Sequence, residues 1–422
     1  MNTLLASLLI FTFLQPGSPA DSISLNYCYE QAENNYPIAK NMALQQEITV
    51  LNIRILNTGY YPQVSLNGKA SYQSEVTEFG LPSGGGAPAI SKDQYEASLQ
   101  VSQNIYNGGA IGIRKNLEKE KGLQEVLTTK AELHQIRNQI DQVYFGILLS
   151  QKQKQASELL ITDLKERLKS VRSKVENGLL LRSQQLILEA ELIKARQDSA
   201  SVMSNMKAGY PVLSAIIGEE IPVSTKLMLP DLATEVEMAE PARPELALFE
   251  SSRKTIEQQK KLAKSMKRPG ISAFGTAAYG RPGLNFLNDD FHEYYIVGLR
   301  LRWNFMDFLN SDEEVKALNI RQKTIKHQEE SFNLQLTTQL SKISERIRVL
   351  EENISRDKEI ITIREEVVGE SVNQLENGVI TATEYITELT NANRARLSLF
   401  TNQVKLIQAL TEYRTAMGLD IE

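Results

Sequence analysis

Three histidines (His134, His292 and His327) and one cysteine, Cys28, are the side chains that could ligate a metal or carry acid, base or thiol chemistry near neutral pH. Their spacing argues against such roles. No HExxH or comparable ligand spacing surrounds a histidine, and a lone cysteine closes no internal disulfide and builds no metal cluster by itself. Each histidine reads as an exposed or locally bonded imidazole. An enzyme would need convergent acid, base or nucleophile residues, and none is visible among the heptads described below. The expectation is no catalytic residue, no cofactor and no metal.

What stands out instead is a turn that occurs twice. VENGLLLRSQQ at 175–185 returns 200 residues later as LENGVITATEY at 375–385. Gly178 corresponds to Gly378, Ala195-Arg196 to Ala395-Arg396, and Ile217-Gly218 to Met417-Gly418. A period of half the chain means a duplicated unit, not a solenoid. Apolar residues flank both glycines: Leu179 and Leu180 in the first copy, Val379 and Ile380 in the second. A purely solvated turn is more often polar, so these positions are candidates for docking a partner. The alternative is packing between neighbouring hairpins.

The turns are separated by long helical patterns. No proline occurs between 109 and 174, and Leu133, Ile136, Ile140, Val143 and Ile147, then Leu160, Leu164, Leu168, Val171 and Val175, keep the three-four spacing of a coiled-coil seam. The counterpart at about 310–376 carries Leu336, Leu340, Ile343, Ile347, Leu350 and Ile354. At 1.5 Å per residue each helix would be about 100 Å long. Returning helices at about 182–217 and 382–417 cover half that length. Further helical stretches at about 24–56 and 243–267 supply nearly the remainder, so two short helices stacked end to end would match one long helix.

Four segments change period to two, the signature of β-strands. They lie at 63–76, 94–106, 271–279 and 294–305, the third being weaker because Phe274 sits on its polar face. Lys69, Glu75, Glu96, Arg300 and Arg302 share the polar phase; Leu66, Leu99, Val297, Leu299 and Trp303 share the apolar one. Gly/Pro-rich connections at 81–88 and 281–290 make two hairpins. A small soluble sheet packed on the helices would bury the apolar phase equally well. Each run is also about the length of a tilted membrane-spanning strand. Four strands enclose nothing, and an open edge in lipid leaves backbone groups unsatisfied. Several chains would have to share one barrel: two give eight strands, three give twelve with room for a pore.

The chain of 422 residues is 41% hydrophobic with net charge −5, giving no basic signature of nucleic-acid binding. Residues 3–14, TLLASLLIFTFL, form an apolar run of signal-peptide length followed by SPA at 18–20. No Lys or Arg precedes it, so either the start lies upstream or the amino terminus supplies the charge. Tyr27 before Cys28 makes a poor lipidation site.

With these features in order, the chain resembles the TolC-like outer-membrane efflux family. LNYCYEQAENNYPIAKNMALQQE is similar to that family's first helix, and GYYPQVSLNG at 59–68 to its entry into the first strand. QNIYNGG at 103–109 and RWNFMDF at 302–308 are similar to the exits from its hairpins, the second without the usual glycines after Asp307. The resemblance implies a mostly α chain with a β-hairpin pair in each repeat, and a homotrimer joining a 12-stranded outer-membrane barrel to an α-helical periplasmic barrel. It also implies docking to a periplasmic adaptor and to an inner-membrane RND, ABC or MFS transporter that supplies the energy. The organisation would be a signal peptide at 1–20 and a first repeat at 21–218 with hairpin 62–106 and tip 175–183. An inter-repeat linker would follow at 219–241, then a second repeat at 242–422 with hairpin 270–306 and tip 375–383. Gly178, Leu179, Leu180, Gly378, Val379 and Ile380 would be the docking tips; Lys69, Glu75, Glu96, Arg300 and Arg302 would face the lumen.

Well-known members close the periplasmic end with a tyrosine, an arginine and two aspartates around the second tip glycine. The matching residues here are Leu375, Ile380, Glu384 and Thr387, so a single acidic residue remains. Arg182, four residues after the first tip glycine, could pair with Glu384; apolar packing by Leu375 and Ile380 is the other means of closure. The functional expectation is passive export through the outer membrane in a tripartite efflux pump or type I secretion system. A periplasmic coiled-coil scaffold or adaptor is the competing reading. A hydrolase on a helical stalk would need a globular region, and 219–240 is too short for one.

Overall fold

A computed structural model describes residues 22–76, 90–232 and 240–420. The signal-like run, the connection at 81–88 and part of the linker at 219–241 lie outside the described residues.

The chain order is β1 (Ser22–Ile23), α1 (Leu25–Asn35), α2 (Lys40–Asn57), β2 (Gln63–Tyr72), β3 (Asp93–Asn107), α3 (Ala110–Glu176) and α4 (Arg182–Ile217). Then come β4 (Lys226–Leu227), α5 (Pro244–Ser265), β5 (Gly270–Arg281), β6 (His292–Arg302), α6 (Met306–Glu376) and α7 (Ala382–Met417). The four predicted helices around the tips are present, and α4 and α7 have the expected bounds. The stretch predicted at 24–56 is broken. Pro37 pushes Tyr36 out of the helical region, to ψ 131°, and a short 3-10 turn at Pro37–Ala39 intervenes before α2.

Contacts divide the chain into two units that cut across the repeats. One takes the segment up to Lys40, Lys130–Pro244 and the chain from Asn333; the other takes Asn41–Thr129 and Glu245–Phe332. Among the described residues, the regular structure of the first unit is helical apart from the two-residue parallel pairing of β1 with β4. Ile140, Ile147, Leu164 and Val171 from α3, Leu188 and Leu192 from α4, and Leu389 and Val404 from α7 are buried there, as three-four spacing requires. Tyr144 anchors the linker: its Oη lies 2.9 Å from the Ile23 carbonyl and 2.7 Å from that of Met228 and donates to one at a time. Tyr210 Oη donates to the Thr225 carbonyl at 2.5 Å.

The second unit holds one antiparallel sheet of order β2-β3-β5-β6. The hairpins β2–β3 and β5–β6 follow chain order; β3 pairing with β5 joins them. β2 ends at Tyr72, four residues short of the predicted strand. Alternation continues to Val76, but the ladder does not: β3 starts at Asp93, and the last backbone bond beyond the strand runs from Gln73 to the Lys92 carbonyl at 2.8 Å. A strand extends only as far as a neighbour offers backbone partners.

Candidate functional site

Register decides the sheet's two faces. Lys69 lies opposite Glu96, Ser98 opposite Ala278, Ser272 opposite Arg300 and Gly270 opposite Arg302. One face therefore carries Lys69, Glu96, Ser98, Ser272, Arg300 and Arg302 together. The opposite face carries Leu66, Leu99, Ala277, Tyr295, Val297 and Leu299. A water-soluble sheet covers its apolar face, and this one does not: Leu66 is 80% exposed and Val297 73%. The apolar face is thus not packed against the helices of its own unit. Glu75 is the exception among the predicted luminal residues, because it lies beyond the end of β2 and belongs to neither face.

Aromatic side chains gather at both ends of the apolar face. At one end Phe291 stacks on Tyr95 and Tyr279, at 6.3 and 5.6 Å between centroids, with the Arg281 guanidinium over its ring. At the other, Trp303 packs on Phe305 and Phe308, and its Nε1 donates to the Lys267 carbonyl at 3.1 Å. From Tyr95 to Ile105 along β3 is about 33 Å at 3.3 Å per residue, or roughly 25 Å once the strand is tilted by about 40°, which is the height of a bilayer-facing apolar band between aromatic girdles.

The two tips are built alike. α3 ends with Gly178 at φ 74° and α6 with Gly378 at φ 69°. Leu179 N–H donates to Lys174 O and Gly178 N–H to Val175 O; Val379 and Gly378 repeat both bonds to Gln374 and Leu375. This is a Schellman ending, which needs a left-handed residue that glycine supplies without a Cβ penalty. The capping asparagines add a bond each, Asn177 Nδ2 to Ser173 O and Asn377 Nδ2 to Asn373 O.

The flanking apolar residues divide. Leu179 and Val379 stand out at 71% and 72% exposure, whereas Leu180 and Ile380 pack partly into the core between the hairpins. Leu375 is 0% exposed within that core, beside Leu164, Val171 and Tyr385. Its own chain covers Leu375, which packs the two hairpins against each other. Arg167 reinforces that contact through an ion pair with Glu376 at 2.6 Å, and Lys174 Nζ donates to the Glu376 carbonyl at 2.6 Å.

Glu384 has a local partner. Its carboxylate accepts from Thr381 N–H at 2.7 Å and from the Thr381 hydroxyl at 2.9 Å, completing a capping box at the start of α7. These bonds, the backbone one first, hold the carboxyl below the usual range. Within the described chain Arg182 and Glu384 are not joined. Arg182, Glu384 and Thr387 are all exposed.

The residues inspected for chemistry have structural surroundings. Cys28 is buried, and burial pushes its thiol up to about 12. His134 Nε2 lies 2.8 Å from the Thr415 carbonyl, and His327 Nδ1 is 3.0 Å from Glu330. Among the described residues no group of three or more His, Cys, Asp or Glu could hold a metal. No helix there is long and apolar enough to cross a membrane.

Comparison with known proteins places this geometry. Residues 28–219 match the family of outer membrane efflux proteins. The fold matches the outer membrane protein VceC from Vibrio cholerae with TM-score 0.70 at 13% identity, covering 94% of this chain and 97% of that one. It matches the open state of the MtrE outer membrane channel from Neisseria gonorrhoeae with TM-score 0.67 at 15% identity, covering 94% and 89%. The outer-membrane channel OprN gives TM-score 0.72 at 11% identity, covering 94% and 90%. The comparison with curated proteins finds no match. The chain is thus similar in sequence to the outer membrane efflux proteins over 28–219, and its mostly helical fold with a small sheet is that of the solved outer-membrane channels.

Proposed function

We propose that three copies of this chain form a passive outer-membrane conduit, the exit component of a tripartite efflux pump or type I secretion system. The observation that carries the reading is the inverted sheet. An apolar face left uncovered between two aromatic bands suits lipid, and the charged face opposite it suits a water-filled lumen. Among the described residues β2 and β6 each have a single neighbour, and lipid cannot satisfy their free backbone groups. Pairing β6 of one copy with β2 of the next removes both edges, and three copies close twelve strands around a pore.

Polar-phase Lys69, Glu96, Arg300 and Arg302 then line the lumen. The tips, with Leu179 and Val379 exposed, dock a periplasmic adaptor that links the conduit to an inner-membrane RND, ABC or MFS transporter. Arg182, Glu384 and Thr387 lie on the exposed surface of the tips and belong to the periplasmic gate. The chain itself performs no chemistry; the pump supplies the energy.

Fractionation followed by sizing in detergent tests this reading. The expected result is recovery from outer membranes as a heat-modifiable trimer. Recovery as a soluble periplasmic protein without detergent would overturn it in favour of a coiled-coil scaffold.

A further inference from the structure

We propose that Arg300 and Arg302 make the conduit anion-selective, so that its barrel favours anionic cargo; this rests on the reading that the polar face lines the lumen. The strands carry four charged residues on that face. Lys69 and Glu96 sit directly opposite one another, and Glu96 also accepts from Tyr294 Oη at 3.0 Å. This pair cancels locally. Arg300 faces Ser272 and Arg302 faces Gly270, and neither makes an ion pair among the described residues. Two steps apart on one strand, they point the same way.

Phe274 holds the first of them. It lies on the same face, where an aromatic ring is out of phase with the apolar pattern. A side-chain carbon at Gly298 would come within 3.0 Å of the Phe274 ring, so glycine there lets the ring lie against β6. The Arg300 guanidinium then sits 5.0 Å from the ring centroid. A cation–π contact orients the head without neutralising it. The site therefore presents two positive charges, the first oriented by the ring and neither ion-paired among the described residues. Inside a low-dielectric wall such charges focus the field and enrich anions, as rings of Arg or Lys do in anion pores.

Thiol labelling at Ser272→Cys, across from Arg300, tests both the face and its charge. Assembled protein in native outer membranes or proteoliposomes would be treated with two impermeant thiosulfonates, one bearing a sulfonate and the other a trimethylammonium group. Cys28 is buried, so the parent chain serves as the blank. Any effect of the arginines on thiol ionisation speeds both reagents equally, and their ratio isolates the field acting on the reagent. A local potential of about one kT per charge would favour the anionic reagent roughly sevenfold. The preference should vanish in R300Q/R302Q, persist in R300K/R302K, and fade between 0.1 and 1 M salt as the screening length falls from about 10 to about 3 Å.

Labelling at 272 with no anionic preference at low salt overturns the inference. So does a preference that R300Q/R302Q retains. If the glutamine variant fails to assemble, the salt dependence with both arginines present decides by itself. Failure of the underlying reading looks different: labelling at Ala273→Cys with none at Ser272→Cys would mean that the polar face is not the wet one.

Discussion

Asp141 is buried by the helices of its own unit, with Tyr29 Oη donating to one carboxylate oxygen and no partner for the other among the described residues. Burial is the leading cause that pushes its carboxyl up to about 7. An acid whose folded pKa is raised binds more protons folded than unfolded, so stability falls as pH rises from about 4 to about 7 and is level above that. Each pH unit in that window is worth about 1.4 kcal/mol at most. Asp141→Asn removes the ionisation and keeps an acceptor for Tyr29. Its melting temperature relative to the parent in detergent should therefore climb between pH 5 and pH 7.5. A pH-independent difference would show that Asp141 does not titrate there. Single residues also explain why the tip positions do not act alike. Leu179 and Leu180 are adjacent in sequence, yet one is exposed and the other packs between hairpins.

The two hairpins differ at the element scale despite their common glycine. α7 begins with the Thr381–Glu384 capping box, while α4 begins at Leu181 with no side-chain cap. This gives Glu384 a role that needs no ion pair with Arg182. Glutamine can complete a capping box and alanine cannot. If the cap holds the second tip in its resting position, Glu384→Ala should raise resting conductance in planar bilayers and Glu384→Gln should change it little. An equal rise in Glu384→Gln and Arg182→Gln would instead identify an ionic latch between hairpins.

For the whole molecule, the exposed apolar tip is the feature that one chain leaves uncovered farthest along both hairpins. Leu179→Asp with Val379→Asp should abolish export in cells while the trimer persists in the outer membrane. The change places charge on two exposed side chains and leaves the core around Leu375 intact. Export at the parental level would remove these residues from the docking surface. Loss of the trimer itself would show that neighbouring hairpins, not a partner, cover them.

Much of this architecture was legible in the chain because it depends on period and local turn chemistry. Three-four spacing marked α3 and α6, the repeated Asn-Gly marked both tips, and alternation separated Lys69, Glu96, Arg300 and Arg302 from Leu66, Val297 and Leu299. These signals act over a few residues, so they survive in one dimension. What the tertiary structure decided depends on partners distant in sequence. Backbone pairing, not pattern, ended β2 at Tyr72 and put Glu75 outside the sheet. The join of β3 to β5 set the register that seats Phe274 against Gly298 beneath Arg300. Contact between the two hairpins buried Leu375 and left Val379 exposed, although the two are four residues apart. Alternation separates two faces of a strand without saying whether the apolar one is covered; only the folded chain, which leaves Leu66 and Val297 bare, decided that.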